Sequence, residues 1–266
     1  MSGQPQEESP LNKLLGRRRA LEAEFHSSFI LDEIEARRLA RDLQSESSKG
    51  SISQIVRGAV LHELAYVEGL RGRLTSALGF MDRALRCGLN EIAIATSKAH
   101  ILIMFGKFSD AREVLQDLPF EDIPDAAKGA LHGLCEEVGM YQLASALNVV
   151  GHISGKFSEE ASVILSEAGI CEIEITERLD YAASIVNASA SHRLIAYDLF
   201  AMQGEGILFR FVVDAPMSEL VELDWEITAR VAERFCGRAD DVLSIGIKPF
   251  SAGEQHLEYG AYNVNV

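Results

Sequence analysis

The sequence contains few of the residues that mark disulfide-rich, metal-binding or redox proteins. Only 4 cysteines occur among its 266 residues, and none of them forms a C-x-x-C pair or another spacing of metal ligands. Four scattered cysteines in a chain of this size do not suggest a disulfide framework. We therefore expect buried, inert thiols, a reducing cytoplasm as the compartment, and neither a metal nor a cofactor.

Long apolar runs and an excess of cations are also missing. No run of about 18 apolar residues occurs, and the start MSGQPQEESP is polar and acidic, so we expect no membrane span and no signal peptide. Lys and Arg total 25 against 40 Asp and Glu, which gives a formal charge of −15. Nucleic-acid binding through phosphate contacts needs clustered cations, and the composition argues against that function.

What the chain does have is the composition of a globular protein whose two halves differ. Apolar residues make up 47% of it and charged residues 24%, a balance typical of a chain that buries a core. Residues 156–266 carry a net charge of −11, and residues 1–155 carry −4. Together with a change in hydrophobic period, this predicts a disordered tail at 1–9, a helical domain at 10–155 and an acidic α+β domain at 156–266.

Two amphipathic segments open the helical half. A helix is predicted at about residues 10–25, and a second at about 29–43 with Ile30 and Ile34 facing inward. The first helix contains the basic run Arg17-Arg18-Arg19. We interpret this run as a solvated helix face, with contact to an anion or an acidic partner as the alternative.

Internal repetition is the strongest signal in this half. Three segments share the order glycine, any residue, large apolar residue, two residues, alanine. They are Gly72-x-Leu74-x-x-Ala77, Gly106-x-Phe108-x-x-Ala111 and Gly139-x-Tyr141-x-x-Ala144, with the alanines 34 and then 33 residues apart. Glycine suits the end of a first helix because that position favours positive φ, and alanine lets a second helix approach closely. The pattern predicts three helical hairpins that stack into a solenoid.

These hairpins resemble the tetratricopeptide repeat (TPR), whose period is about 34 residues. The matching positions are Leu64, Ala65, Ala77, Met81 and Ala84 in repeat one and Ala99, Ala111 and Leu115 in repeat two. Repeat three departs from the pattern with His132 and Asn148, and all three lack the tryptophan of the consensus. The resemblance covers residues 55–152 and implies an all-α, TPR-like solenoid that binds a peptide or protein on its concave surface.

The resemblance places a partner-binding groove on the first helix of each hairpin. The residues carried over are His62, Tyr66, Leu70, Thr96, His100, Ile103, Met104, Glu136 and Glu137. Such a groove would be apolar with an acidic end, and it lacks the lysine and asparagine pattern that clamps a C-terminal carboxylate in chaperone-binding members. Packing inside the hairpins is the alternative for each residue. The histidines lack the spacing of a metal site.

In the C-terminal half the hydrophobic period changes to that of strands. The predicted elements are strands at 192–201 and 207–213, a helix from Pro216 to about Cys236, and strands at 243–249 and 257–266. The turn Met202–Gly206 makes the first two strands an antiparallel hairpin. This order predicts a small antiparallel or mixed sheet with one long helix, so the whole chain is assigned to the α+β class.

The long helix is predicted to have a buried stripe and an acidic face. Val231 and Phe235 belong to the buried stripe, whereas Glu219, Glu222 and Glu226 face water. Like charges three and four residues apart add no stability to a helix. Solubility explains them, and a docking face for a basic partner is the alternative.

Signals for catalysis are weak. Gly204-Glu205-Gly206 leads into a strand rather than a helix, so we interpret it as a hairpin turn and not as a phosphate loop. An enzyme or a small-molecule sensor would need a cleft lined by His192, Asp198, Arg210 or His256.

We therefore expect a bacterial, cytoplasmic adaptor, chaperone or regulator without enzymatic activity. It would bind a protein or peptide segment in the TPR-like groove, and the acidic domain would contact a basic partner or form a homodimer through a sheet edge. One alternative is an enzymatic or small-molecule-sensing α+β domain fused to a helical interaction domain. Another is an acidic inhibitor of the immunity type.

Overall fold

The computed structural model describes residues 10–147, 155–194, 196–251 and 257–258. The tail predicted at 1–9 and most of the strand predicted at 257–266 lie outside these residues. The described part combines many helices with one small sheet, which confirms the α+β class. It forms two compact units, one that ends at Ile94 and one that begins at Ala95. The domain boundary predicted at residue 155 stays a prediction.

The helices of the first unit are α1 (Pro10–Ser28), α2 (Glu33–Ser47), α3 (Gln54–Leu70) and α4 (Leu74–Arg86), and the unit boundary falls inside α5 (Glu91–Met104). The second unit continues with α6 (Phe108–Gln116), α7 (Asp125–Glu137), α8 (Tyr141–Ala146), α9 (Gly155–Ala168) and α10 (Glu172–Ser189). It ends with β1 (Ala196–Met202), β2 (Gly206–Val213), α11 (Met217–Arg234), β3 (Leu243–Pro249) and β4 (Leu257–Glu258).

The three glycine-to-alanine segments form the same turn. Gly72, Gly106 and Gly139 have φ of 79°, 67° and 76°, in the left-handed region that glycine adopts readily. After each of them, the next N–H donates to the carbonyl five residues earlier, and the second helix begins at the large apolar residue. The alanine of each segment is fully buried. The predicted helical hairpins are therefore present, while the TPR resemblance itself stays a prediction.

Helix α10 supplies acceptors to the starts of the second helices in the second and third hairpins. The N–H of Gln142, in the first turn of α8, donates to the carboxylate of Glu172 at 2.6 Å. The N–H of Ser109, in the first turn of α6, donates to Asp180 at 2.9 Å. The first N–H groups of a helix have no hydrogen-bond partner within the helix and form the positive end of its dipole. A carboxylate there stabilises the helix both by accepting a hydrogen bond and by its negative charge.

The same helix supplies donors to the ends of the first helices. The hydroxyl of Thr176 donates to the carbonyl of Val138 at 2.6 Å, at the end of α7. The amide of Asn187 donates to the carbonyl of Phe105 at 3.0 Å, just after α5. Four helix ends thus find side-chain partners on α10, which holds both hairpins through their turns.

We expect the change Asp180→Ala to lower the free energy of unfolding by about 1 kcal/mol, because it removes the acceptor at the start of α6. Hydrogen exchange of the Ser109 amide should become faster at the same time. Asp110→Ala is the matched control, since this exposed carboxylate lies in the same turn without this bond. Equal effects of the two changes would show that α10 does not cap α6.

In the first unit, the middle arginine of the basic run is buried. Arg18 is 1% exposed, its Nε donates to Glu63 at 2.6 Å, and it also pairs with Glu22. The His62 ring lies 3.2 Å from the other oxygen of Glu63. Burial would raise the pKa of Glu63, but the His62 ring and the Arg18 guanidinium hold that pKa below its ordinary value. The interpretation of the basic run as a solvated helix face therefore holds for Arg19, which is exposed. It is wrong for Arg18, which is buried.

Arg18→Gln should lower the free energy of unfolding by about 3 kcal/mol or more, because it leaves the Glu63 carboxylate buried without its main counter-charge. Arg17→Gln should cost less than about 1 kcal/mol, because the Arg17 side chain is 36% exposed and its ion pairs are screened by water. Urea unfolding followed by circular dichroism compares the two. Similar losses would contradict the structural role assigned to Arg18.

Helix α2 begins later than the sequence predicts. Its first residue is Glu33, and Asp32 before it accepts a hydrogen bond from the N–H of Ile34 at 2.9 Å. Phe29 is buried with a positive φ of 55°, which breaks the helical path. Ile30 and Ile34 are therefore 70% and 65% exposed. The prediction that both face inward is wrong, because it carried the helical period across this break.

The strands form a mixed sheet in the order β3-β2-β1-β4. Strand β1 is antiparallel to β2 and β4, and β2 is parallel to β3. Phe209 in β2 lies opposite Leu199 in β1 and Ile245 in β3, so these apolar residues share a face. Helix α11 connects β2 to β3 and packs against β3 and α10. The predicted order of strands and helix is confirmed.

Candidate functional site

Helix α11 exposes three large apolar side chains in a row. Met217, Val221 and Trp225 follow each other at four-residue spacing and are 63%, 61% and 75% exposed. Trp225 is the only tryptophan of the chain. Residues four apart lie above one another on a helix, so the three side chains form a continuous surface, which we call the α11 stripe. This stripe is not among the features predicted from the sequence, although the four-residue spacing of its apolar side chains, away from the buried residues, is a signal that the sequence contains.

The other side of α11 fixes the helix to the sheet. Leu220 and Ile227 are buried, and the carboxylate of Asp224 accepts the N–H of Ile247 in β3 at 2.8 Å. A Cβ on Gly246 would lie 2.7 Å from the same carboxylate oxygen, so a larger residue there would displace the Asp224 side chain from this position. The α11 stripe is therefore presented on a firmly anchored helix.

The three glutamates predicted as an acidic face lie on another side of α11, where only Glu222 is at a spacing of three or four residues from a stripe residue, Trp225. Glu219, Glu222 and Glu226 are all exposed, as predicted. Arg230, one turn after Glu226, donates to its carboxylate at 2.9 Å. We call Glu219, Glu222 and Glu226 the acidic ridge. A ligand that contacts the stripe at Trp225 and the ridge at Glu222 would combine apolar and cationic groups.

The residues predicted to line the groove of the hairpins are all buried. His62, Tyr66, Leu70, Thr96, His100, Ile103, Met104, Glu136 and Glu137 are each exposed by 4% or less. The His62 ring, for example, packs against the ring of Tyr66 with centroids 5.2 Å apart. Packing inside the hairpins accounts for such contacts. A role of these residues in binding stays a prediction, and their exposure gives it no support.

Glu136 shows how a residue assigned to the acidic end of the groove is used inside the second unit. The hydroxyl of Ser158 in α9 donates to its carboxylate at 2.5 Å, and the hydroxyl of Tyr197 in β1 donates at 2.6 Å. The carboxylate thus joins α7 to α9 and to the sheet. Buried polar atoms need such partners, and here the chain itself provides them.

Two of the residues proposed for a catalytic cleft form a cross-strand pair. Asp198 in β1 lies opposite Arg210 in β2, and the Arg210 Nε donates to its carboxylate at 2.9 Å. Lys248 in β3 lies 3.6 Å from the same carboxylate. These ion pairs link strands of the same sheet. Cross-strand pairing is therefore enough to account for Asp198 and Arg210, and no ligand needs to be invoked. His256 lies outside the described residues.

His192, the other candidate, connects the chain before β1 to the end of β2. Its Nε2 accepts the N–H of Asp214 at 3.0 Å, and its Nδ1 lies 2.8 Å from the carbonyl of Arg193. This arrangement requires a neutral ring with the proton on Nδ1. Burial lowers the pKa of His192 below its ordinary value.

The bond to Asp214 makes the stability of the protein depend on pH. Because the folded-state pKa of His192 is lowered, its contribution is fully present above about pH 6.5, the ordinary histidine pKa, and is lost as the pH falls through the lowered value. We expect the free energy of unfolding of the native protein to fall more steeply on acidification than that of His192→Gln. Parallel pH curves for the two would contradict this assignment.

The described residues do not form a metal site, and the thiols are not all buried. No group of three or more His, Cys, Asp or Glu among them is placed to hold a metal ion. Burial raises the pKa of the Cys135 thiol to about 12, but Cys171 and Cys236 are exposed, so the expectation of four buried thiols is wrong. Across the described part of the chain, every helix is too short or too polar to cross a membrane.

In comparisons with known proteins, no family model, no curated protein and no solved structure matches this chain. The α11 stripe and the acidic ridge therefore stand on their own geometry, as the candidate functional site that the described residues present.

Proposed function

We propose that this protein is a non-enzymatic interaction protein whose α11 stripe and acidic ridge bind a basic amphipathic helix of a partner protein. The supporting observation is the row of Met217, Val221 and Trp225, in which every side chain is more than 60% exposed. Single exposed apolar residues are ordinary on protein surfaces. A row of three large ones on an anchored helix is typical of an interaction site.

The shape of the stripe favours a helical ligand. From Met217 to Trp225 it extends about 12 Å, at the rise of about 1.5 Å per residue of a helix. A partner helix whose apolar residues recur every three or four positions would have the same period as the stripe. Its apolar side chains could then pack against Met217, Val221 and Trp225. Tryptophan and methionine are suited to this role, since the first gives a large rigid contact and the second adapts to its neighbour.

The charge favours a basic ligand and disfavours a second copy of the chain. The acidic ridge would attract lysines or arginines that flank the apolar residues of the partner. A second copy would bring the same ridge and a formal charge of −15 toward an equal charge. We therefore assign the stripe to a different protein and not to a homodimer.

The helical hairpins belong to this proposal as a scaffold. We infer that they form a TPR-like solenoid, which is supported by the identical turns at Gly72, Gly106 and Gly139. Because the side chains first assigned to its groove are buried, the partner-binding role passes to α11.

The lone tryptophan allows a direct test. The probe is a synthetic 18-residue amphipathic helix with leucines on one face and lysines on both flanks, added to the full chain. Binding should shift the fluorescence of Trp225 to shorter wavelength in a saturable way, because the indole leaves water. Val221→Ser should weaken binding about tenfold, and added salt should weaken it further.

Two controls make this test specific. Glu222→Gln removes a charge of the acidic ridge, whereas Glu205→Gln removes an exposed charge in the turn before β2. Only the first should lower the affinity. A peptide of the same composition with its leucines scattered around the helix should bind weakly. Equal effects of the two substitutions, or equal binding of the two peptides, would refute the proposed site.

A further inference from the structure

A cavity of about 530 Å³ lies in the second unit, between the last turns of α11 and the first residues of β3. Val231 and Phe235 form part of its wall on the helix side, and Leu243 and Ile245 form part of its wall on the strand side. Both helix residues belong to the stripe predicted to be buried, yet they are only half-buried. Beyond Ile227, this side of α11 therefore faces the cavity.

The edge of β3 runs along this cavity. In the ladder with β2, the carbonyl of Val242, just before β3, accepts the N–H of Ile207. Residues of a strand point their main-chain groups alternately to either side, so the even-numbered residues here turn toward β2. The odd-numbered residues Leu243 and Ile245 therefore direct their N–H and C=O groups away from β2, toward the free edge of β3. Among the described residues, β3 has no second neighbouring strand.

Farther along β3 the edge is closed. The outward N–H of Ile247 already donates to Asp224 at 2.8 Å. Pro249 has no N–H to offer. Within the described strand, the edge is thus open beside the cavity and blocked beyond it, which also disfavours a homodimer through the full length of β3.

A buried cation provides a further donor. The side chain of Arg178 is 5% exposed and lines the cavity, its Nε donates to Asp240 at 2.8 Å, and its Nη1 donates to the carbonyl of Glu174 at 3.0 Å. Its Nη2 has no hydrogen-bond partner among the described residues and lies 3.7 Å from the position of a Cβ on Gly237, another wall residue. Because Asp240 balances the charge of Arg178, Nη2 suits a neutral acceptor such as an amide carbonyl.

We infer that this cavity binds a short, extended peptide that adds as a strand to the open part of β3. The peptide main chain pairs with the outward groups of Leu243 and Ile245, and one further carbonyl accepts from Arg178. An apolar side chain packs on Val231, since the Arg178 guanidinium already lies over the Phe235 ring at 4.8 Å. Main-chain bonds to a sheet edge supply affinity in this mode of recognition. The cavity volume lies within the range of about 300–1,000 Å³ found for ligand pockets. The inference does not depend on the function proposed for the α11 stripe.

The first test uses the capped tetrapeptide acetyl-Val-Thr-Val-Thr-amide with the full, isotope-labelled chain. Nuclear magnetic resonance should show shifts at the amides of Leu243 and Ile245, and hydrogen exchange at Ile245 should slow. Two analogues carry an N-methyl group on the second or on the third residue. Since neighbouring residues point to opposite sides, one analogue should bind about tenfold more weakly than the other. Equal binding of both analogues, or no shift at these amides, would overturn strand addition.

Variants of the cavity test the location. Gly237→Leu should abolish binding, because an extended φ of 168° accepts any side chain and the leucine would extend into the space next to Arg178. Gly79→Leu is the matched control, since a Cβ there meets nothing within 4 Å. Arg178→Lys keeps a charge beside Asp240 but loses Nη2, and it should weaken binding several-fold. Binding by Gly237→Leu as tight as by Gly79→Leu would refute this site.

Discussion

The ends of helices need hydrogen-bond partners, and in the second unit α10 provides four of them. Its capping residues Glu172, Thr176 and Asp180 are spaced four apart, so they lie on one face and reach successive helix ends. That face also packs directly on the turns, since a Cβ on Gly106 would lie 3.2 Å from the carbonyl oxygen of Ala183. The glycine thus serves twice, by adopting a positive φ and by leaving room for α10. The positions of the hairpins and of the strands that follow depend on this contact.

Buried carboxylates use the same rule inside the cores of the units. Glu63 in the first unit is held by Arg18 and His62, and Glu136 in the second is held by Ser158 and Tyr197. A buried charge is costly unless partners of suitable geometry surround it, and removing one partner costs more than the pair contributes. Such groups are therefore committed to the fold. Glu136 is also a residue that the repeat resemblance assigns to the groove, and its burial gives that binding role no support.

Local signals in the sequence were enough to predict the hairpins and the order of the strands. Glycine at positive φ and alternation in a strand are properties of a few neighbouring residues, as at Gly72 or between Ile207 and Val213. The error at Ile30 and Ile34 comes from a local break at Phe29, whereas other contacts that the sequence does not reveal depend on distant partners. Nothing near Arg18 in the sequence points to Glu63, which lies 45 positions away, and nothing near Ser109 points to Asp180, 71 positions away. The acidic ridge was predicted because exposure follows from helical period alone, whereas the cavity arises from the meeting of three elements.

Helix α11 has apolar side chains that its packing against the sheet and α10 does not bury. Leu220 and Ile227 with the Asp224 bond to β3 anchor it, while Trp225 on one side and Phe235 near its end remain wholly or partly uncovered. Exposed apolar surface of this kind favours aggregation, and a formal charge of −15 opposes it through repulsion between copies. Charge repulsion can keep copies of the chain apart, but it does not bury the exposed apolar side chains of α11. Binding of a ligand would cover this surface, which is the reasoning behind the recognition roles proposed for α11.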